Sequence, residues 1–126
     1  AKERAEQYLN QLGLWGKHNV PSRELSGGMK RRLMIARAMI HEPKLLILDE
    51  PSLGLSPLLV EELFGLISQL RSTGLSILLV EQNISFAKRL GDHVAVMDNG
   101  KVVHAGSMQE LADDETLQTS LLGLAL

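Results

Sequence analysis

Residues 2–12 place apolar or small groups at Ala5, Tyr8, Leu9 and Leu12. That three-and-four spacing predicts a helix with one apolar face, and Gly13 marks its end. The stretch WGKHNVPSREL is punctuated by Gly16, Asn19 and Pro21 and predicts a loop. A second helical pattern opens near Ser26 and runs to about His41, where Pro43 forbids continuation. The pattern then changes. In KLLILDE, Leu45 to Leu48 are aliphatic without polar alternation. This predicts a strand buried on both faces, as in a parallel sheet covered by helices. PSLGLSP predicts a loop. Pro57 opens a helix with Leu59, Leu63, Leu66, Ile67 and Leu70 on its apolar side, ending at Gly74. SILLVE (76–81) predicts another buried strand, and NISFAKRL (83–90) a short helix ending near Gly91. In HVAVMDNGKVVHAG, the segment Asp98-Asn99-Gly100-Lys101 carries the Asn-Gly signal of a tight hairpin turn. Residues 107–124 read as one or two short helices. Helices alternating with strands in this order predict an α/β chain built on a parallel sheet.

Composition narrows the function classes. The 126 residues fit one domain at most. A formal net charge of −2 argues against a broad nucleic-acid footprint, which needs a basic surface. The chain has no cysteine, which excludes disulfide frameworks, thiolate metal sites and cysteine nucleophiles. No apolar run reaches the ~18 residues that a spanning helix needs. AKERAEQYLN is charged and helical in character and has no signal-peptide core. The chain starts without methionine and directly on a helix pattern, which predicts a fragment boundary.

Two features carry candidate chemistry. In LSGGMKRRL, Ser26 stands where a helix cap belongs. The N–H groups of Gly27, Gly28 and Met29 would then lie at the positive end of the helix dipole, an anion site if nothing obstructs it. An ordinary capped turn explains the tetrapeptide equally well. The second feature is the pair Asp49 and Glu50 at the C-terminal end of the LLIL strand, where ligands of open parallel sheets gather. Asp49 suits Mg²⁺ held through water, and Glu50 suits orientation and deprotonation of an attacking water. Solvated loop acids are the plainer reading of the dipeptide alone. Lys30, Arg31 and Arg32 read as a solvated face, or as help for a partner's phosphate. The four histidines show no metal-ligand spacing.

Taken together, LSGGMKRRLMIARAMIHEPKLLILDEPSLGL resembles the signature motif, Walker B motif and D-loop of ATP-binding-cassette (ABC) ATPases. The resemblance implies a partial P-loop NTPase-type domain: buried parallel strands covered by helices, then a β-hairpin and short helices. Residues 1–126 would be the C-terminal half of that domain. It implies ATP and Mg²⁺ as cofactors. The partners would be a second ABC ATPase subunit in a head-to-tail dimer and transmembrane permease subunits, at the cytoplasmic face of the cell membrane, with no nucleic acid. Residue by residue, Leu25, Ser26, Gly27 and Gly28 match the signature, and Gly27 and Gly28 would be bare so that a partner's ATP can dock on their amides. Met29 stands where the family most often has glutamine. Asp49 matches the Walker B magnesium aspartate and Glu50 the catalytic base. Leu53, Gly54, Leu55 and Ser56 occupy the D-loop, with Ser56 in place of the usual aspartate. Gln82 takes the place of the switch histidine. It can donate to a γ-phosphate but cannot carry a proton at neutral pH. DEPSLGLSP, ILLVEQN and the closing LLGL look like ATPases of branched-chain amino acid importers. LGLWGKHN and the signature segment look more like those of ABC-2-type exporters.

The phosphate cradle G-x-x-x-x-G-K-[ST] does not occur in these residues. Gln11 and Ala95, five positions before Gly16 and Gly100, are not glycine. The chain by itself is therefore expected to bind ATP weakly and not to turn it over. Leu45–Leu48 would lack a pairing edge, which predicts marginal stability or self-association. A non-catalytic half-domain is the competing reading, and a DNA-repair-type ABC ATPase head a more distant one.

Overall fold

The computed structural model describes residues 2–123. It divides into two compact units, Ala1–Gln82 and Asn83–Leu126.

The first unit opens with α1 (Lys2–Gln11). Its end is drawn tight by Leu12 N–H donating to the Tyr8 carbonyl and by Gly13 at φ +68°. The predicted loop 15–25 is more ordered than its composition suggests. It holds two 3-10 turns, Trp15–Lys17 and Ser22–Glu24. Trp15 stacks on His18 with ring centroids 4.4 Å apart. Helix α2 (Gly27–Met39) starts where Ser26 was expected to cap it: the Ser26 Oγ accepts from the Met29 N–H at 3.2 Å. Ile35, Ala36 and Met39 form its buried side.

Strand β1 (Leu45–Asp49), helix α3 (Pro57–Ser72) and strand β2 (Ser76–Val80) make one β-α-β crossover. The strands pair in parallel, from Leu45 opposite Ser76 to Asp49 opposite Val80. Pro57 sits in the first turn of α3, behind the Ser56 cap. Leu63, Ile67 and Leu70 recur on one face of the helix and are each 2% exposed.

The strands depart from the expected two-sided burial. Leu46 and Leu48 are buried at 4% and 8%, whereas Leu45, Ile47, Leu78 and Val80 are 51%, 60%, 51% and 49% exposed. One crossover helix covers one face of a two-stranded sheet, so every second side chain of β1 is left open.

The second unit begins with α4 (Ile84–Leu90), capped by the Asn83 side chain accepting from the Phe86 N–H at 3.1 Å. The hairpin follows as β3 (His93–Asp98) and β4 (Lys101–Ser107). Its turn has Asn99 at φ +48° and Gly100 at φ +77°. Both values are left-handed, as the Asn-Gly signal requires. The register slips by one residue between Val96 and Met97, a bulge that the sequence did not announce. The tail folds into two helices, α5 (Met108–Asp113) and α6 (Glu115–Leu122). Gly123 closes α6 at φ +62°, and Leu124, the last residue of the predicted tail, lies outside the described residues. Val96, Met108 and Leu111 form the small core of this unit, with Ala87, Val94 and Leu117 packed against it. The buried Gln118 is satisfied: it accepts from Lys88 Nζ at 2.6 Å and donates to the Ala112 carbonyl at 3.1 Å. No helix among the described residues is long and apolar enough to cross a membrane.

Candidate functional site

The candidate site begins at the C-terminal end of β1. Leu46 and Leu48 point into the unit, so strand alternation carries Asp49 to the open side, where it is exposed. The chain then turns sharply. Glu50 has φ +42°, a left-handed value at a residue with a side chain. Its N–H donates to the Val80 carbonyl at 2.8 Å, and its carbonyl accepts from the Leu53 N–H at 3.1 Å. Gln82 Nε2 donates to Glu50 Oε1. Ser52 N–H donates to Glu81 Oε1 at 2.9 Å, and Leu55 N–H to the Ser52 carbonyl at 3.2 Å. Gly54, at φ +74°, leads into the Ser56 cap of α3. The segment 50–56 is thus a sequence of hydrogen-bonded turns fixed by the end of β2.

The acidic pair and Gln82, picked out at separate places along the sequence, therefore stand at the same end of the two strands, where Gln82 reaches Glu50. Among the described residues no group of three or more His, Cys, Asp or Glu side chains could by itself hold a metal ion. The donors suit Mg²⁺ in a limited sense. An exposed carboxylate, with a second one adjacent, fits an ion that keeps several waters and takes its remaining ligands from phosphate.

The signature residues form a second group, and here the structure corrects two expectations. Three amides were expected to be free at the start of α2, but Met29 donates its N–H to Ser26 Oγ. The missing side chain of Gly28 has a reason inside the chain. Gly28 is buried, and a Cβ there would lie 3.1 Å from Leu59 Cδ2 of α3. At Gly27, which is exposed, a Cβ would stand 3.7 Å from Leu55 Cδ2. A glycine pair thus lets the tip of α2 pack against the turn and the start of α3. Of the two glycines, Gly27 is the one left open to an approaching group.

The D-loop residues pack against this same tip. Leu53 is 63% exposed, but its carbonyl accepts from Arg31 Nη2 at 3.4 Å. Arg32 pairs with Glu62 of α3. The basic cluster is therefore partly spent on internal contacts, neither a wholly solvated face nor a free phosphate grip. Ser56 has a local duty as the cap of α3, which an aspartate would fill equally well. Sequence reading missed Glu81, because an acid at a strand end reads as solvated until its partner is seen.

Residues 1–53 match the family described as ABC transporter. The solved structure of CbiO1 from Clostridium perfringens, part of the ABC transporter complex cbiONQ, superposes with a TM-score of 0.82 at 32% identity, over 99% of this chain and 50% of that one. The fold matches about half of each of two ATP-binding cassettes of ABC transporters seen in solved structures, with TM-scores of 0.83 at 26–27% identity. Among curated relatives, the high-affinity branched-chain amino acid transport ATP-binding protein BraG of Pseudomonas aeruginosa is 41% identical over 99 residues, which is 79% of this chain and 42% of BraG. The lipopolysaccharide export system ATP-binding protein LptB of Acidithiobacillus ferridurans is 37% identical over 122 residues, 97% of this chain and 51% of LptB. The chain spans about half the length of these ABC ATPase relatives. The two relatives serve different substrates, and one of them belongs to an export system.

Proposed function

We propose that the chain is the signature, Walker B and switch portion of an ATP-binding subunit that couples ATP hydrolysis to transport across a membrane. The observation that carries this is the meeting of Asp49, Glu50 and Gln82 at one end of the β1–β2 pair. Asp49 would hold Mg²⁺ through water, and the ion supplies charge neutralisation to the phosphates when bound. Glu50 would accept the proton of the attacking water. The Gln82 amide engages Glu50 Oε1 and so orients the carboxylate. Its second N–H is available to a γ-phosphate, and its inability to carry a proton leaves Glu50 as the base. Ser26 and Gly27 at the tip of α2, with Gly28 and Met29 setting its shape, would meet the terminal phosphate of a nucleotide bound by a second subunit. Leu53, Gly54, Leu55 and Ser56 would lie along the same head-to-tail contact. Permease subunits would carry the solute, with the ATPase at the cytoplasmic face. Likeness to BraG favours branched-chain amino acids or related small solutes. Likeness to LptB, of an export system, leaves the direction of transport outside the proposal.

A second reading, a half-domain that folds but does not hydrolyse, is favoured by the absence of a triphosphate cradle among these residues. It applies to the 126-residue chain alone, which should bind a fluorescent ATP analogue more weakly than micromolar and show no turnover. For the full-length subunit, steady-state hydrolysis decides. Glu50→Gln should reduce kcat by about 100-fold, the lower range of what a positioned general base supplies. An unchanged kcat would refute the assignment.

A further inference from the structure

Three consecutive residues at the end of β2 each grip the turn that follows β1. Val80 accepts from the Glu50 N–H, Gln82 donates to the Glu50 carboxylate, and Glu81 accepts from the Ser52 N–H at 2.9 Å. The first two contacts act on Glu50 itself. The third acts beyond Pro51, which has no N–H to offer, and is the next point at which the backbone can be held. Ser52 is only 7% exposed, so its amide is largely withdrawn from water. Glu50 at φ +42° occupies a strained region, and such conformations persist only where surrounding contacts over-determine them.

We propose that Glu81 is a positioning residue for hydrolysis: its carboxylate holds the Ser52 N–H and thereby keeps Glu50 in the left-handed turn that presents its side chain to Gln82. This rests on the reading of Glu50 as the base. Glu81 itself touches neither nucleotide nor water in this role. It acts through the backbone two residues past Glu50. The acceptor oxygen matters more than the charge, so an amide of the same length should serve and a shorter acid should not.

The test uses the full-length subunit. Glu81→Ala and Glu81→Asp should each lower kcat about tenfold, the lower range for partners that orient a reactive group, with KM for ATP unchanged within about twofold. Glu81→Gln should recover most of the rate. In a Glu50→Gln background, Glu81→Ala should have no further effect, since both changes disable the same group. If Glu81→Ala proves unfolded, Glu81→Asp carries the test, because it keeps the charge and withdraws only the reach. Amide exchange at Ser52 should quicken in Glu81→Asp and not in Glu81→Gln. Full kcat in Glu81→Asp, or an undiminished tenfold loss on top of Glu50→Gln, would overturn the proposal. If Glu50→Gln itself leaves hydrolysis intact, the underlying assignment fails along with it, a result distinct from the first two.

Discussion

Asn99 and Glu50 each follow the last residue of a strand, and both hold a left-handed backbone, at φ +48° and +42°. They come to it by opposite routes. Asn99 belongs to the residue types that tolerate this region, it precedes a glycine, and the two strands of its hairpin are joined by nothing else. Its turn is written in four adjacent letters. Glu50 has no such preference. Its conformation is held from 30 residues away, by Val80, Glu81 and Gln82. A turn that local chemistry explains is structural. At Glu50 local chemistry disfavours the turn and tertiary contacts maintain it, which is the condition under which functional sites store strain; Glu42, also left-handed at φ +49°, lies away from the acidic pair.

That contrast is sharpest in a pair of substitutions with crossed effects. Glu50→Gln is expected to remove about 99% of hydrolysis in the full-length subunit while shifting unfolding free energy by no more than ~0.5 kcal/mol. Asn99→Ala should do the reverse. It places a residue that disfavours the left-handed region in the hairpin turn, at a cost of ~1 kcal/mol, and leaves kcat unchanged. Denaturant titration and a steady-state ATPase assay on both variants would break the contrast if either one moved both quantities. A comparable stability loss is expected at the tip of α2. Ser26→Ala deletes the cap on Met29 and should cost ~1 kcal/mol.

Gly28→Ala should have the smallest effect. A Cβ at 3.1 Å from the end of the Leu59 side chain asks for a small adjustment. The gain in helix propensity of up to ~1 kcal/mol opposes the crowding. The net change in unfolding free energy should stay within ~1 kcal/mol, and a loss of several would mean that Leu59 cannot yield. Gly27→Ala, whose site faces Leu55 at 3.7 Å, should be milder still for folding. If the exposed tip receives a phosphate, its penalty should fall on hydrolysis in the assembled pair instead.

What could be read in the letters follows the same division. The Ser26 cap, the Pro57 start of α3, the Asn-Gly hairpin and the acidic pair at the end of β1 are local signals, and each stands where it was expected. The sidedness of β1 was not legible. Leu45 and Ile47 are as aliphatic as Leu46 and Leu48, and which pair is buried depends on what lies over the sheet. The role of Gly28 was only half legible, since a bare position can admit a ligand or a leucine, and the leucine is 31 residues away. The contacts of Arg31, Arg32 and Glu81 were not legible at all. Each joins residues 22 to 30 positions apart, and nothing in a single sequence marks such pairs.

The central claim is that the strained turn at Glu50 stands at a nucleotide–metal site. Paramagnetic broadening measures this directly. Mn²⁺ takes the oxygen ligands that Mg²⁺ takes. Added with ATP to the isotope-labelled full-length subunit, it should erase the amide signals of Asp49, Glu50 and Ser52, which the same amount of Mg²⁺ with ATP leaves sharp. Sharp signals at Asp49 and Glu50 under saturating Mn²⁺ and ATP would contradict the account.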